Sequence, residues 1–248
     1  MPKDKLIIVD GTAISYRDEG AGRAIVFVHG WRDSKSTFAQ LIKQLGEGFR
    51  SVSIDLPNFG LSQETDSITS VEEYANFLSL FIKKLNLKDY VLVGHSMGGQ
   101  INIFATGNNL VKPSSLILLA SAGVRSNKKL IKKPIQYVSK VLKRFIPAAT
   151  KNKLYKKMGS DYNTKLSPVH KKIIHNVLSF DVQEVAGKIN VPTLLVFGSN
   201  DIHTPVSMGE ALHQKIKKSK FVILDDKNHW LHQTDAGDIA KLIKDFAK

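Results

Sequence analysis

No cysteine occurs anywhere in the 248-residue chain. That absence excludes disulfide scaffolds, thiolate metal centres, cysteine nucleophiles and thiol redox chemistry, and it fits a reducing compartment. Long apolar runs are missing as well: no stretch approaches the ~18 consecutive apolar residues a membrane span needs. The opening MPKDKLIIVDG holds only a short apolar run closed by an acid, unlike the apolar core of a secretion signal. The expectation is a soluble, cytoplasmic protein without a transmembrane segment. Internal repeats and low-complexity tracts are also absent, so a chain of this length reads as one large domain with a sizeable core.

Acidic residues are scarce in one place in particular. Between Val124 and Phe180 the single acid Asp161 stands against fifteen lysines and arginines, whereas the whole chain has 36 basic and 22 acidic residues. The remainder is balanced, and this segment supplies the entire net charge of +14. A compositional boundary of this kind marks an insert.

What fills the rest of the chain is alternation. AISYRDEG reads as an early strand; AIVFVHG, FRSVSIDLPNFG, YVLVG, SSLILLAS, PTLLVFGSND and KFVILDD read as further strands, several of them apolar on both faces. Between them SKSTFAQLIKQLGEG puts Phe38, Leu41, Ile42 and Leu45 on one helical face, and VEEYANFLSLFIKKLNL does the same with Tyr74, Phe77, Leu78 and Phe81. Helices are also predicted at MGGQINIFATGN, from Val206 to Lys215 and at IAKLIKDFA. This predicts an α/β fold: a mostly parallel sheet covered by helices, with its active site beyond the carboxyl ends of the strands. The basic segment interrupts the series between two strands. The expected organisation is therefore a core of residues 1–121 and 187–248, with residues 122–186 an inserted basic helical lid. Within it, PIQYVSKVLKRFI gathers Ile135, Val138, Leu142 and Phe145, and VHKKIIHNVLSF gathers Ile173, Ile174, Val177 and Leu178.

The chemistry is concentrated at strand ends. VGHSMGGQ (93–100) follows a strand and precedes a helix, the setting in which a serine projects from a sharp turn as a nucleophile; Gly94 and Gly98 allow close backbone approaches around Ser96. A serine hydroxyl needs a base, and the base needs an orienting acid. Asp201 follows the strand TLLVFGS and His229 follows KFVILDD, so both should emerge at the same sheet edge as Ser96. Asp225 and Asp226 compete for the acid role, but they sit in the turn that leads to His229. The expected triad is Ser96, Asp201 and His229.

VFVHGW (26–31), DLPNFGLS (55–62), GHSMGG (94–99), GSNDIHTPV (198–206) and KNHW (227–230) together resemble the successive motifs of the α/β-hydrolase superfamily, in its small serine esterase and lipase-like group. The resemblance spans nearly the whole chain outside the insert. It implies an eight-stranded sheet whose second strand is antiparallel, a lid after the sixth strand, and an oxyanion hole made by the N–H groups of Trp31 and Met97. The side chains of Trp31, Met97 and Trp230 are candidates to line an apolar pocket. His29 and His95 hold loop geometry, with either able to border the pocket. His203 reads as a loop residue, and His170, His175 and His213 as surface or lid residues. Two departures stand out. Asn58 replaces a glycine usual in the proline-containing turn, and it tolerates unusual dihedrals. Arg32 and Asp33 after His-Gly argue against carbon–carbon bond hydrolysis.

The resemblance implies a carboxylic ester hydrolase working through an acyl-enzyme, with lactonase, thioesterase and carbon–carbon hydrolase as alternatives. A ligand receptor or interaction protein on the same scaffold is the reading from another class. The substrate expected is a small ester or lactone with an apolar portion. His229 and His232 are closely spaced, but no metal-ligand cluster accompanies them in the sequence, and the serine mechanism requires neither metal nor cofactor. The basic insert reads as a solvated lid face, or as a guide for anionic substrates or anionic lipid surfaces. Nucleic acid is disfavoured because no aromatic residues interleave the lysines in a recognition pattern.

Overall fold

A computed structural model describes residues 3–125 and 166–247. Its framework is one eight-stranded sheet: β1 (Lys5–Val9), β2 (Thr12–Gly20), β3 (Arg23–Val28), β4 (Phe49–Ile54), β5 (Tyr90–His95), β6 (Ser115–Leu119), β7 (Thr193–Gly198) and β8 (Ser219–Leu224). The strands lie in the order β1-β2-β4-β3-β5-β6-β7-β8. β2 is antiparallel to both of its neighbours, and every other pairing is parallel. The antiparallel second strand inferred from the resemblance is present. β1 is the element the sequence reading passed over. Its Leu6 and Ile8 point outward, 74% and 53% exposed, so the periodic burial that announces a strand is weak there.

Alternation along the central strands divides the core in two. Val26 and Val28 of β3, Leu92 of β5, Leu116 and Leu118 of β6, and Leu195 and Phe197 of β7 face one layer. Ile25, Phe27, Val91, Val93, Ile117, Leu119, Leu194 and Val196 face the other. The first layer is covered by α2 (Val71–Lys84) and α3 (Met97–Gly107), the second by α1 (Ala39–Leu45) and α8 (Ala236–Phe246). Burial on both faces is why these strands read as nearly continuous apolar runs.

Helix boundaries follow from local chemistry. α2 opens with a capping box, in which Ser70 Oγ accepts the Glu73 N–H and the Glu73 carboxylate accepts the Ser70 N–H. The helix anticipated from Ser34 is split. Lys35–Phe38 forms a 3-10 turn before α1 begins, and Gly46 at φ 68° stops it.

Between β6 and β7 the described residues include α4 (Pro168–Ser179) and α5 (Gln183–Ala186); α6 (Val206–Lys215) and α7 (Leu231–Thr234) follow β7 and β8. α4 buries Ile173 and Val177, as its spacing suggested, and leaves Leu178 58% exposed. The Gln100 amide donates to Val177 O and Phe180 O at the end of α4, both at 3.1 Å. The predicted helix around 135–145 lies outside the described residues.

Candidate active site

Ser96 stands between β5 and α3 with φ 51° and ψ −115°. A non-glycine residue in that region costs roughly 1–3 kcal/mol and persists only where its surroundings impose it. They do. Ser96 N–H donates to Leu119 O of β6, and Ser96 O accepts the Gln100 and Ala122 N–H groups. A side chain at Gly98 would bring Cβ within 2.2 Å of Val28 O, and one at Gly94 within 2.5 Å of Asn102 Nδ2. The two glycines therefore let the strained turn sit directly on β3 and α3.

Asp201 and His229 leave the ends of β7 and β8 and meet there. The imidazole Nδ1–H donates to Asp201 Oδ2 at 2.8 Å. The other carboxylate oxygen accepts the N–H groups of His203 and Thr204 at 2.8 and 2.9 Å. Burial alone would raise the Asp201 pKa, but the bonds from His229 and Thr204 outweigh it and hold the carboxyl below its ordinary range. Sequence reading missed Thr204. Its hydroxyl lies 2.7 Å from Asp201 Oδ2, 3.0 Å from Ala120 O and 3.1 Å from His229 Nδ1. It is the buried joint between the acid, the base and the end of β6.

A cavity of about 680 Å³ is bordered by Ser96, His229, Thr204, Trp31, Met97 and His95, together with Trp230 and with Ile174, Val177 and Leu178 of α4. Ser96 and His229 thus border one space, with Trp31 and Met97 beside them. His29 does not border the cavity. Its ring is tied to backbone at both ends, Nδ1–H to Gly30 O at 2.7 Å and Nε2 accepting the Leu56 N–H at 3.0 Å, which is a loop-holding role. His95 does border it, while Nε2–H donates to His229 O at 3.0 Å. His203 packs its ring 5.1 Å from that of His229.

Two further residues acquire roles that their motifs did not reveal. Asn58 is buried at φ 74°, donating to Ile68 O and accepting the Thr65 N–H, so the turn keeps its shape with asparagine in place of glycine. His170 of α4, expected as a surface or lid residue, is half-buried. Its ring lies 5.8 Å from Trp31 and 5.5 Å from Phe59, and its Nε2–H donates to Asn58 O. It fastens α4 to the loops that shape the cavity.

The region also contains a group of imidazoles that sequence spacing did not bring together. His95 and His232 pack at a tilt with ring centroids 4.0 Å apart. Burial pushes the His95 pKa well below its ordinary value, and burial with the nearby His229 pushes His232 down to about 3. Ligand atoms of Asp33, His95 and His232 lie within 4.8 Å of one another.

Comparison with known proteins agrees with this architecture. The model of the "Alpha/beta hydrolase family" matches residues 25–242. The uncharacterized hydrolase YugF of Bacillus subtilis is 30% identical, over 97% of this chain and 96% of its own. The pimeloyl-[acyl-carrier protein] methyl ester esterase of Vibrio parahaemolyticus is 22% identical, over 96% and 99% respectively. The solved esterase EaEST of Exiguobacterium antarcticum shares the fold with a TM-score of 0.77 at 22% identity, covering 99% of each chain. With its family model spanning all but the ends and its eight-stranded sheet in the order described, the chain belongs to the alpha/beta hydrolase family.

Proposed function

We propose that the protein is a serine hydrolase that cleaves small carboxylic esters or lactones through an acyl-enzyme. The observation that carries this reading is the meeting, at one cavity, of a serine held at φ 51° with a histidine whose far nitrogen is 2.8 Å from a buried carboxylate. In this reading His229 Nε2 takes the Ser96 proton as Oγ attacks the ester carbonyl. Asp201 keeps Nδ1–H pointing inward and favours the imidazolium that forms. The Trp31 and Met97 N–H groups receive the developing oxyanion; backbone donors need no reorganisation to do so. The leaving alcohol takes its proton from His229, and a water activated by the same histidine then releases the acid. In this reading 122–186 is a lid segment, and its described helix α4 lends the cavity wall Ile174, Val177 and Leu178, suited to a substrate with an apolar portion. The methyl ester esterase activity in the name of the Vibrio relative points in the same direction.

The test is labelling with a fluorophosphonate, alongside turnover of p-nitrophenyl esters of increasing acyl length, lactones, thioesters and short amides. Labelling should map to Ser96 and be suppressed in His229→Ala. In Ser96→Ala turnover should fall by about four orders of magnitude or more. Full ester turnover by purified Ser96→Ala would overturn the mechanism. Stoichiometric retention of ligand without turnover would point instead to a receptor on a hydrolase scaffold.

A further inference from the structure

Beside the proposed catalytic groups lie two imidazole nitrogens that no group among the described residues satisfies. His95 Nε2–H is committed to His229 O at 3.0 Å, and His232 Nε2 lies 2.8 Å from Thr37 Oγ1. The remaining nitrogen of each ring, Nδ1, is buried and has no hydrogen-bond partner. The residues are 2% and 0% exposed. A buried polar atom left in that state costs on the order of 1–3 kcal/mol, and two of them side by side form a site for something that accepts lone pairs. A cation does that, and the third group present is a carboxylate. Asp33 brings an oxygen to within 4.8 Å of the histidine ligand atoms.

We propose that Asp33, His95 and His232 form a binding site for a divalent transition-metal ion of the zinc type. Two imidazoles and one carboxylate are the donor set such ions take, with about 2.0–2.2 Å to each ligand atom and a fourth position left open. Each ring also has the outer bond that orients a metal-ligating histidine, here to a carbonyl and to a hydroxyl. Asp33 and His95 border the active-site cavity whereas His232 does not. The ion therefore enters from the cavity, and its open position faces the cavity too. Contraction around the ion calls for ring and carboxylate shifts on the order of 1 Å, since tetrahedral ligand atoms at these bond lengths stand about 3.4 Å apart. The site draws on the loop after β3, the end of β5 and α7, so an occupant would tie these three together next to Ser96.

The experiment uses untagged, chelator-dialysed full-length protein, titrated with Zn²⁺ by calorimetry and with Co²⁺ by visible absorption. One ion per chain should bind saturably, and Zn²⁺ should raise the melting temperature. Asp33→Asn and His232→Gln should each weaken binding by at least about tenfold, since even outer-shell changes cost that much. His213→Gln and Ser96→Ala should leave it unchanged; the second keeps the outcome independent of the proposed hydrolysis. As a measurement that needs no variant, Zn²⁺ should shift the ring signals of His95 and His232 in the wild-type spectrum. Absence of saturable binding would overturn the proposal. So would binding that survives in both ligand variants, or shifts confined to His175 and His213.

Discussion

Thr204 shows how much of the proposed triad's geometry rests on a residue outside it. One hydroxyl lies within hydrogen-bonding distance of the acid, the base and Ala120 O. Replacing it by valine keeps the shape and removes the bond to Asp201 Oδ2. The expected result for Thr204→Val is a fall in kcat of roughly tenfold with KM little changed, because orientation of His229 matters most when it becomes charged. Thr204→Ser should restore most of the loss; steady-state kinetics on a p-nitrophenyl ester decides it. Asp201 carries a second consequence. Its folded pKa lies below the ordinary aspartate value, so the unfolded chain binds the proton more readily. The stabilisation is fully present above that value and is lost as pH falls through the lower, folded one. Melting curves between about pH 6 and pH 2 should therefore show a steeper acid loss in the wild type than in Asp201→Asn.

At the scale of elements, the site is a product of where strands stop. β5, β7 and β8 are parallel and end at the same sheet edge, so His229 pairs with Asp201 28 residues before it and borders the same cavity as the far more distant Ser96. Helices contribute by closing the layers, and their ends can be altered without touching the chemistry. Ser70→Ala removes one half of the α2 capping box. It should cost about 1 kcal/mol of stability, read as a lowered denaturation midpoint, with ester turnover unchanged. α4 behaves differently because it borders the cavity. Its attachments through Gln100, His170 and Asn176 reach α3 and the loops at Asn58 and Thr69, which couples α4 to the walls of the site.

The whole molecule adds charge. Its positive excess belongs to the segment that interrupts the sheet, and the described part of that segment contributes Arg125, Lys171 and Lys172. A field of one sign near a cavity raises the local concentration of oppositely charged ligands, and salt screens it over about 10 Å at 0.1 M. If the insert guides substrates, raising ionic strength from about 0.05 to 0.5 M should lower kcat/KM several-fold for an ester bearing a second, free carboxylate. The same change should leave a neutral ester of equal length nearly unaffected, and parallel progress curves for the pair measure it.

Sequence alone determined the alternation of strands and helices and the span of the basic segment, and it offered the candidate triad; the antiparallel second strand is what the resemblance to the family implied. The alternation and the candidate residues are written in local patterns: apolar periodicity, glycines around a serine, acids and a histidine placed just after strands. β1 escaped because two of its apolar side chains face outward, and periodicity has nothing to report where one face is not buried. Thr204, His170 and the cluster of Asp33, His95 and His232 were decided only by tertiary structure. Their partners lie in other elements, 84 residues away for Thr204 and Ala120 and 112 for His170 and Asn58. A hydroxyl or an imidazole carries no mark of such a partner along the chain. It becomes a joint, a clasp or a ligand when sheet order places another polar atom within hydrogen-bonding or coordination reach and packing excludes the water that would otherwise satisfy it.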